Sequence, residues 1–167
     1  VATLLAVAAV TGVTVAAGGC TARPQAAAPP STPAPASTAS SPAAAYLAIA
    51  STGNTRLDRD FDRFNGPDRS DLTASAADLR DIATTEHAFD QRLAHLTLTL
   101  PPEAATWART LIRANEARAS LTLRAADSTS LRQLGGLRPS LTAANAPVER
   151  AVSAIRATLG LPPPDTS

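Results

Sequence analysis

Pro67 to Leu96 reads PDRSDLTASAADLRDIATTEHAFDQRLAHL, and its large apolar residues share one phase. Leu72, Leu79, Ile82, Phe89, Leu93 and Leu96 recur at threes, fours and sevens. That is the period of one helical face, not the alternation of a strand. Asp68 and Asp71 fall in the opening turn, where negative charge suits the helix dipole. Followed by heptads, the same seam also contains Glu86. A carboxylate on an apolar seam must find partners, because removing one member of a buried ion pair costs about 3–5 kcal/mol.

The periodicity extends in both directions. Ser41-Pro42 opens a first helix, with a hydroxyl cap followed by proline in the first turn. Leu47, Ala50, Leu57, Phe61 and Phe64 form its stripe, and Asn65-Gly66-Pro67 ends it. Pro101-Pro102-Glu103 opens a third helix, with a stripe of Trp107, Leu111, Ala114, Leu121 and Ala125 that ends near Asp127. In the last segment, Gly135-Gly136 predicts a break, Pro139-Ser140 a restart and Pro147 a kink. Leu141, Val148, Val152, Ile155 and Leu159 supply the fourth stripe, and Gly160-Leu161-Pro162 is a stop signal.

Long helices joined by short turns predict an all-α, antiparallel up-down four-helix bundle over residues 42–161, with a short tail at 162–167. Leu96 to Leu100 alternates but is too short and isolated to build a sheet. Phe61, Phe64, Phe89 and Trp107 are read as core aromatics. An antiparallel hairpin turning near Thr99 brings Glu86 level with Arg113 and Asn115, and the hairpin turning near Gly66 brings it level with Tyr46. The expectation is a buried polar layer of Tyr46, Glu86, Arg113 and Asn115, either a register-fixing device or a ligand site between helices.

Chemistry-bearing motifs are scarce. His87 and His95 stand eight residues apart on one helix, too far for one ion to bridge both. Di-iron bundles place Glu-x-x-His pairs on two helices, and this chain has none. No Gly-x-Ser-x-Gly elbow and no Gly-rich phosphate loop occur. Asp58, Asp60, Asp62 and Asp68 interleave with Arg56, Arg59, Arg63 and Arg69, the pattern of a solvated, mutually paired face. A formal net charge of +1, with both signs mixed along the chain, gives no footprint for nucleic acid. These residues predict no enzyme, no metal and no cofactor.

The N-terminal region has a different composition. Val1 to Gly19 carries no charge and consists mostly of Val, Ala and Leu, closing on Ala17-Gly18-Gly19-Cys20. Thr21 to Ser41 is almost entirely Pro, Ala, Ser and Thr with one charge, Arg23, and lacks the large apolar groups needed to offset ordering entropy. As a flexible coil it would reach roughly 25 Å, and about 65 Å in polyproline II geometry.

This arrangement resembles the signal and lipobox of a bacterial lipoprotein. The absence of Lys and Met and the abundance of Ala, Arg and Pro resemble the high-GC, actinobacterial type. Where that family favours Leu three residues before the cysteine this chain has Ala17, and no basic residue precedes Arg23.

The resemblance implies a signal peptide at 1–19, lipidation of Cys20, a disordered tether to residue 41, and a domain on the outer face of the membrane. It also implies, as partners, the membrane and an envelope protein or small molecule. Being the sole cysteine, Cys20 leaves no intramolecular disulfide to the domain. Three roles follow for the helices: a non-catalytic binding module, a metal-handling or enzymatic ferritin-like bundle using Glu86, His87 and Asp90, or an envelope spacer.

Overall fold

The computed structural model describes residues 40–164. Residues 1–39, with the expected signal segment, Cys20 and nearly all of the tether, lie outside the described residues, as do residues 165–167. Five α-helices follow in order: α1 (Pro42–Asn65), α2 (Leu72–Leu96), α3 (Pro102–Ala126), α4 (Leu131–Ala143) and α5 (Asn145–Thr158). A 3-10 turn at Pro67–Ser70 joins α1 to α2. None of the described helices is long and apolar enough to cross a membrane.

Local chemistry sets the helix ends. The Ser41 side chain accepts from the Ala44 amide at 3.2 Å, with Pro42 in the first turn of α1. Asp71, expected within the second helix, instead caps it, accepting from the amides of Thr73 and Ala74 at 2.8 and 3.0 Å. Gly66 joins the two helices because an added Cβ would meet the Asp62 carbonyl oxygen at 2.6 Å. At the far end Gly160 adopts φ 67°, and the Leu161 amide donates to the Arg156 carbonyl at 2.8 Å. That left-handed cap is one only glycine adopts without strain.

The fourth arm departs from expectation. The helix runs through Gly135-Gly136 and carries Pro139 inside it. Nothing lies within 4 Å of a Cβ built at either glycine, so this stretch has no close neighbour to constrain it. Both glycines and Pro139 are exposed, so the carbonyl that Pro139 leaves without a donor can turn to water. The break comes instead at Ala144, between α4 and α5. Pro147 then occupies the first turn of α5, where its missing N–H has no intrahelical partner to lose.

α2 packs on both α1 and α3, and α3 packs on α4 and α5. With α4 and α5 forming one bent arm, the chain is an all-α, up-down bundle of four arms. One apolar cluster fills the end holding the α1 N-terminus, with Tyr46, Leu93, Leu111 and Ile155 among its members. A second fills the opposite end, around Leu79, Ile82, Ala125 and Leu134. Each fully buried Leu or Ile contributes about 1.5–3 kcal/mol.

The inner face of α3 carries Ala104, Ala108, Leu111, Asn115, Thr122 and Ala125. It is rotated from the expected stripe, because small residues form the close contacts. Trp107, read as core, is consequently 37 % exposed.

Candidate functional site

Between the two apolar clusters lies a polar layer drawn from α2, α3 and α5. Glu86 is only 2 % exposed, and its Oε1 lies 2.9 Å from Arg118 Nε. The contact is a buried ion pair. Arg118 also donates through Nη2 to Asn115 Oδ1 and through Nη1 to Asn145 Oδ1, both at 3.3 Å. Asn115 Nδ2 in turn donates to Asp90 Oδ1 at 2.8 Å. Arg118 therefore joins α2, α3 and the first residue of α5, beside the bend at Ala144.

Of the residues expected in the layer, Glu86 and Asn115 are brought together around Arg118. Arg113 is not there: it lies on the exposed side of α3 and donates to Thr110 Oγ1 at 3.1 Å. Helical side chains lean toward the N-terminus. The arginine that reaches Glu86 therefore sits further along α3, and Arg118 shares the inward face with Leu111, Asn115 and Thr122. Tyr46 is buried in the neighbouring apolar cluster, near Arg156 and not against Glu86. Burial pushes its phenol up to about 12, against the opposing charge of Arg156.

A cavity of about 40 Å³ opens on this layer where all four arms meet. Its lining includes the polar Glu86, Asn115 and Arg118 and the apolar Leu57, Phe89 and Val152. A second cavity of about 30 Å³ adjoins it, sharing Asn54, Phe89 and Val152 and reaching Tyr46 and Arg156. Both lie along the seam between α1 and α5, which are not among the closely packed helix pairs. Glu86 Oε2 is buried and has no hydrogen-bond partner.

The electrostatics follow from that burial. Desolvation raises the Glu86 carboxyl to about 7, against the pull of Arg118 and with a further push from Asp90. Asp90 rises to about 6, chiefly by desolvation, with the Asn115 hydrogen bond opposing.

A second polar cluster joins α1 to α2. Arg63 contacts Asp78 and Asp81 at 2.8 Å and Asp60 at 3.2 Å. Asp60, expected on a solvated face, is buried and accepts from Thr85 Oγ1 at 3.1 Å. Arg56, Arg59 and Asp62 remain exposed, so the alternating pattern concealed one inward carboxylate.

The residues proposed for metal chemistry do not converge. Glu86 faces Arg118 and Asp90 faces Asn115, while His87 is exposed beside Gln91. Among the described residues no group of three or more His, Cys, Asp or Glu side chains is placed to hold an ion. Compared with protein-family models, curated proteins and solved structures, the chain gives no match.

Proposed function

We propose that this chain is an exported, lipid-anchored protein of the cell envelope whose helical domain binds a small ligand without catalysing its conversion. The observation that carries the binding role is Glu86 Oε2, buried and without a partner beside a cavity of about 40 Å³. A layer built only to fix helix register would gain by satisfying that oxygen internally, since an unpaired buried acceptor costs about 1–3 kcal/mol or more when charged. The convergence of a few polar groups on an apolar concavity is the general form of a small-molecule site.

The anchor rests on the sequence alone. The uncharged segment closing on Ala17-Gly18-Gly19-Cys20 supports export, and the Pro-rich stretch after it supports a tether. Thioether attachment of a diacylglyceryl group to Cys20 would hold the domain at the outer face of the membrane, since two acyl chains give stable anchoring. Mass spectrometry of the mature N-terminus, after expression in a bacterial host, tests this. The expected result is a chain beginning at a diacylated Cys20; an unmodified cysteine would overturn the anchor.

A second reading, a protein-docking role, draws on the exposed side chains Leu98, Leu123 and Leu131. They lie on separate turns and helices, which favours the cavity as the binding element.

A further inference from the structure

Glu86 and Asp90 bring two carboxyl groups to the layer and Arg118 brings one guanidinium, so the fully ionised layer carries one negative charge in excess. The guanidinium is already shared among Glu86, Asn115 and Asn145. An anion entering the cavity would meet the Glu86 carboxylate, with Asp90 behind Asn115, and a cation that is already engaged. A donor of positive charge would find in Glu86 a lining carboxylate with one oxygen, Oε2, that is buried and without a hydrogen-bond partner.

The apolar wall narrows the class further. Phe89 offers a ring to both cavities, and a cation held near an aromatic face gains about 0.5–2 kcal/mol. About 40 Å³ admits an ammonium group with one or two carbons attached, since one water needs roughly 10–15 Å³. A short alkyl chain could continue along Phe89 and Val152 into the second cavity, where Ala50 adds apolar surface. Gly53 permits this geometry: a Cβ there would come within 3.1 Å of Phe89 Cδ2, so its absence lets the ring lie close to α1.

We propose that the seam between α1 and α5 binds a small primary ammonium, as the free ion or the head of a short aliphatic amine, whose N–H donates to Glu86 Oε2. This deepens the small-ligand reading above and rests on it. Binding draws on the ionised carboxylate, so it strengthens as pH rises from about 5 to about 8 across the Glu86 transition near 7.

The test uses the full-length chain purified in detergent at about pH 8, with thermal melts and calorimetric titration. Ethylammonium and ammonium chlorides are compared with ethanol, tetramethylammonium chloride and sodium chloride at matched ionic strength. Saturable stabilisation by the two N–H donors, absent for tetramethylammonium and sodium, is the expected result. Glu86→Gln should weaken it roughly ten- to hundredfold, the worth of one charge-assisted hydrogen bond. Glu103→Gln, which removes an exposed carboxylate on α3, should leave it unchanged.

Nuclear Overhauser contacts from ethyl protons to the Val148 and Val152 methyl groups of the parent chain give a readout independent of any variant. Their absence, or equal stabilisation by sodium chloride, overturns the proposal. Ethanol binding that is indifferent to Glu86→Gln also overturns it, while keeping a small-ligand cavity. No saturable binding by ammonium, ethylammonium or ethanol would remove both readings.

Discussion

Arg63 and Arg118 each gather carboxylates donated by α2, but the Arg63 side chain is 39 % exposed and that of Arg118 only 13 %. Arg63 holds three aspartates at the edge of α1 and α2, where water shares the work of solvation. Arg118 holds one glutamate and two asparagines in the middle of the bundle. Each cluster also leaves one carboxylate oxygen unpaired, Asp78 Oδ2 in the first and Glu86 Oε2 in the second. Only the second of these borders a cavity on the seam between α1 and α5. The ion pair alone therefore does not set the two clusters apart. What singles out Glu86 is the combination of burial, imperfect pairing and adjacent space.

The contrast breaks first at Arg118. Arg118→Ala removes the charge that holds the Glu86 carboxyl down. At about pH 8 the buried group must then either stay ionised and unpaired or take up a proton, and the loss in denaturant unfolding should reach up to about 3–5 kcal/mol. Near pH 5 the cost should shrink, because Glu86 is then protonated and needs no partner. A loss equal at both pH values would mean that Glu86 does not titrate inside the bundle.

The pH profile of the parent chain is next in size. Glu86 rises from an ordinary 4.5 to about 7 on folding, so the native state holds a proton there that the unfolded chain releases. Its contribution is complete below about 4.5 and is lost as pH climbs through about 7, a decline of a few kcal/mol. Asp90, raised to about 6, adds to the same fall at lower pH. Arg118, Glu116 and His87 are the remaining charged neighbours that act on this pair. Melting across pH 4 to 9 should show the decline, and Glu86→Gln should flatten its upper part.

The smallest effect belongs to the exposed cluster. Arg63→Met should lower stability less than Arg118→Ala, through repulsion among Asp60, Asp78 and Asp81. About 1 M salt contracts the screening length to about 3 Å and should erase much of that loss. The Arg118→Ala loss should persist in the same salt. If salt rescued both equally, the distinction between surface and interior would fail.

Much of the bundle is legible from residue periods. The α2 seam, the Ser41 and Gly160 caps and the α2–α3 turn follow from apolar spacing and from glycine and proline placement. The face of α3 was harder to read, because alanine marks close packing and not bulk. Ala104 and Ala108 are fully buried, while the larger Trp107 stands partly in solvent.

Glycine and proline misled in α4, where sequence cannot tell an exposed helix that tolerates them from a break. Glu86 was visible as a polar residue on an apolar seam, but its partner was not. The reach of Arg118 back along α3 depends on side-chain direction, which axial counting ignores. Asp60 was hidden by the same logic, since four aspartates in similar company differ only in which way each one points.

The seam has one more consequence. Pro164 lines the same small cavity as Tyr46, so the chain leaves the bundle beside the helix on which it entered. The two ends can therefore be joined by a short linker and the chain reopened at the Gly66 turn, on the opposite end of the bundle. Such a circular permutant would exchange the end bearing the N-terminal segment without altering the packing between helices.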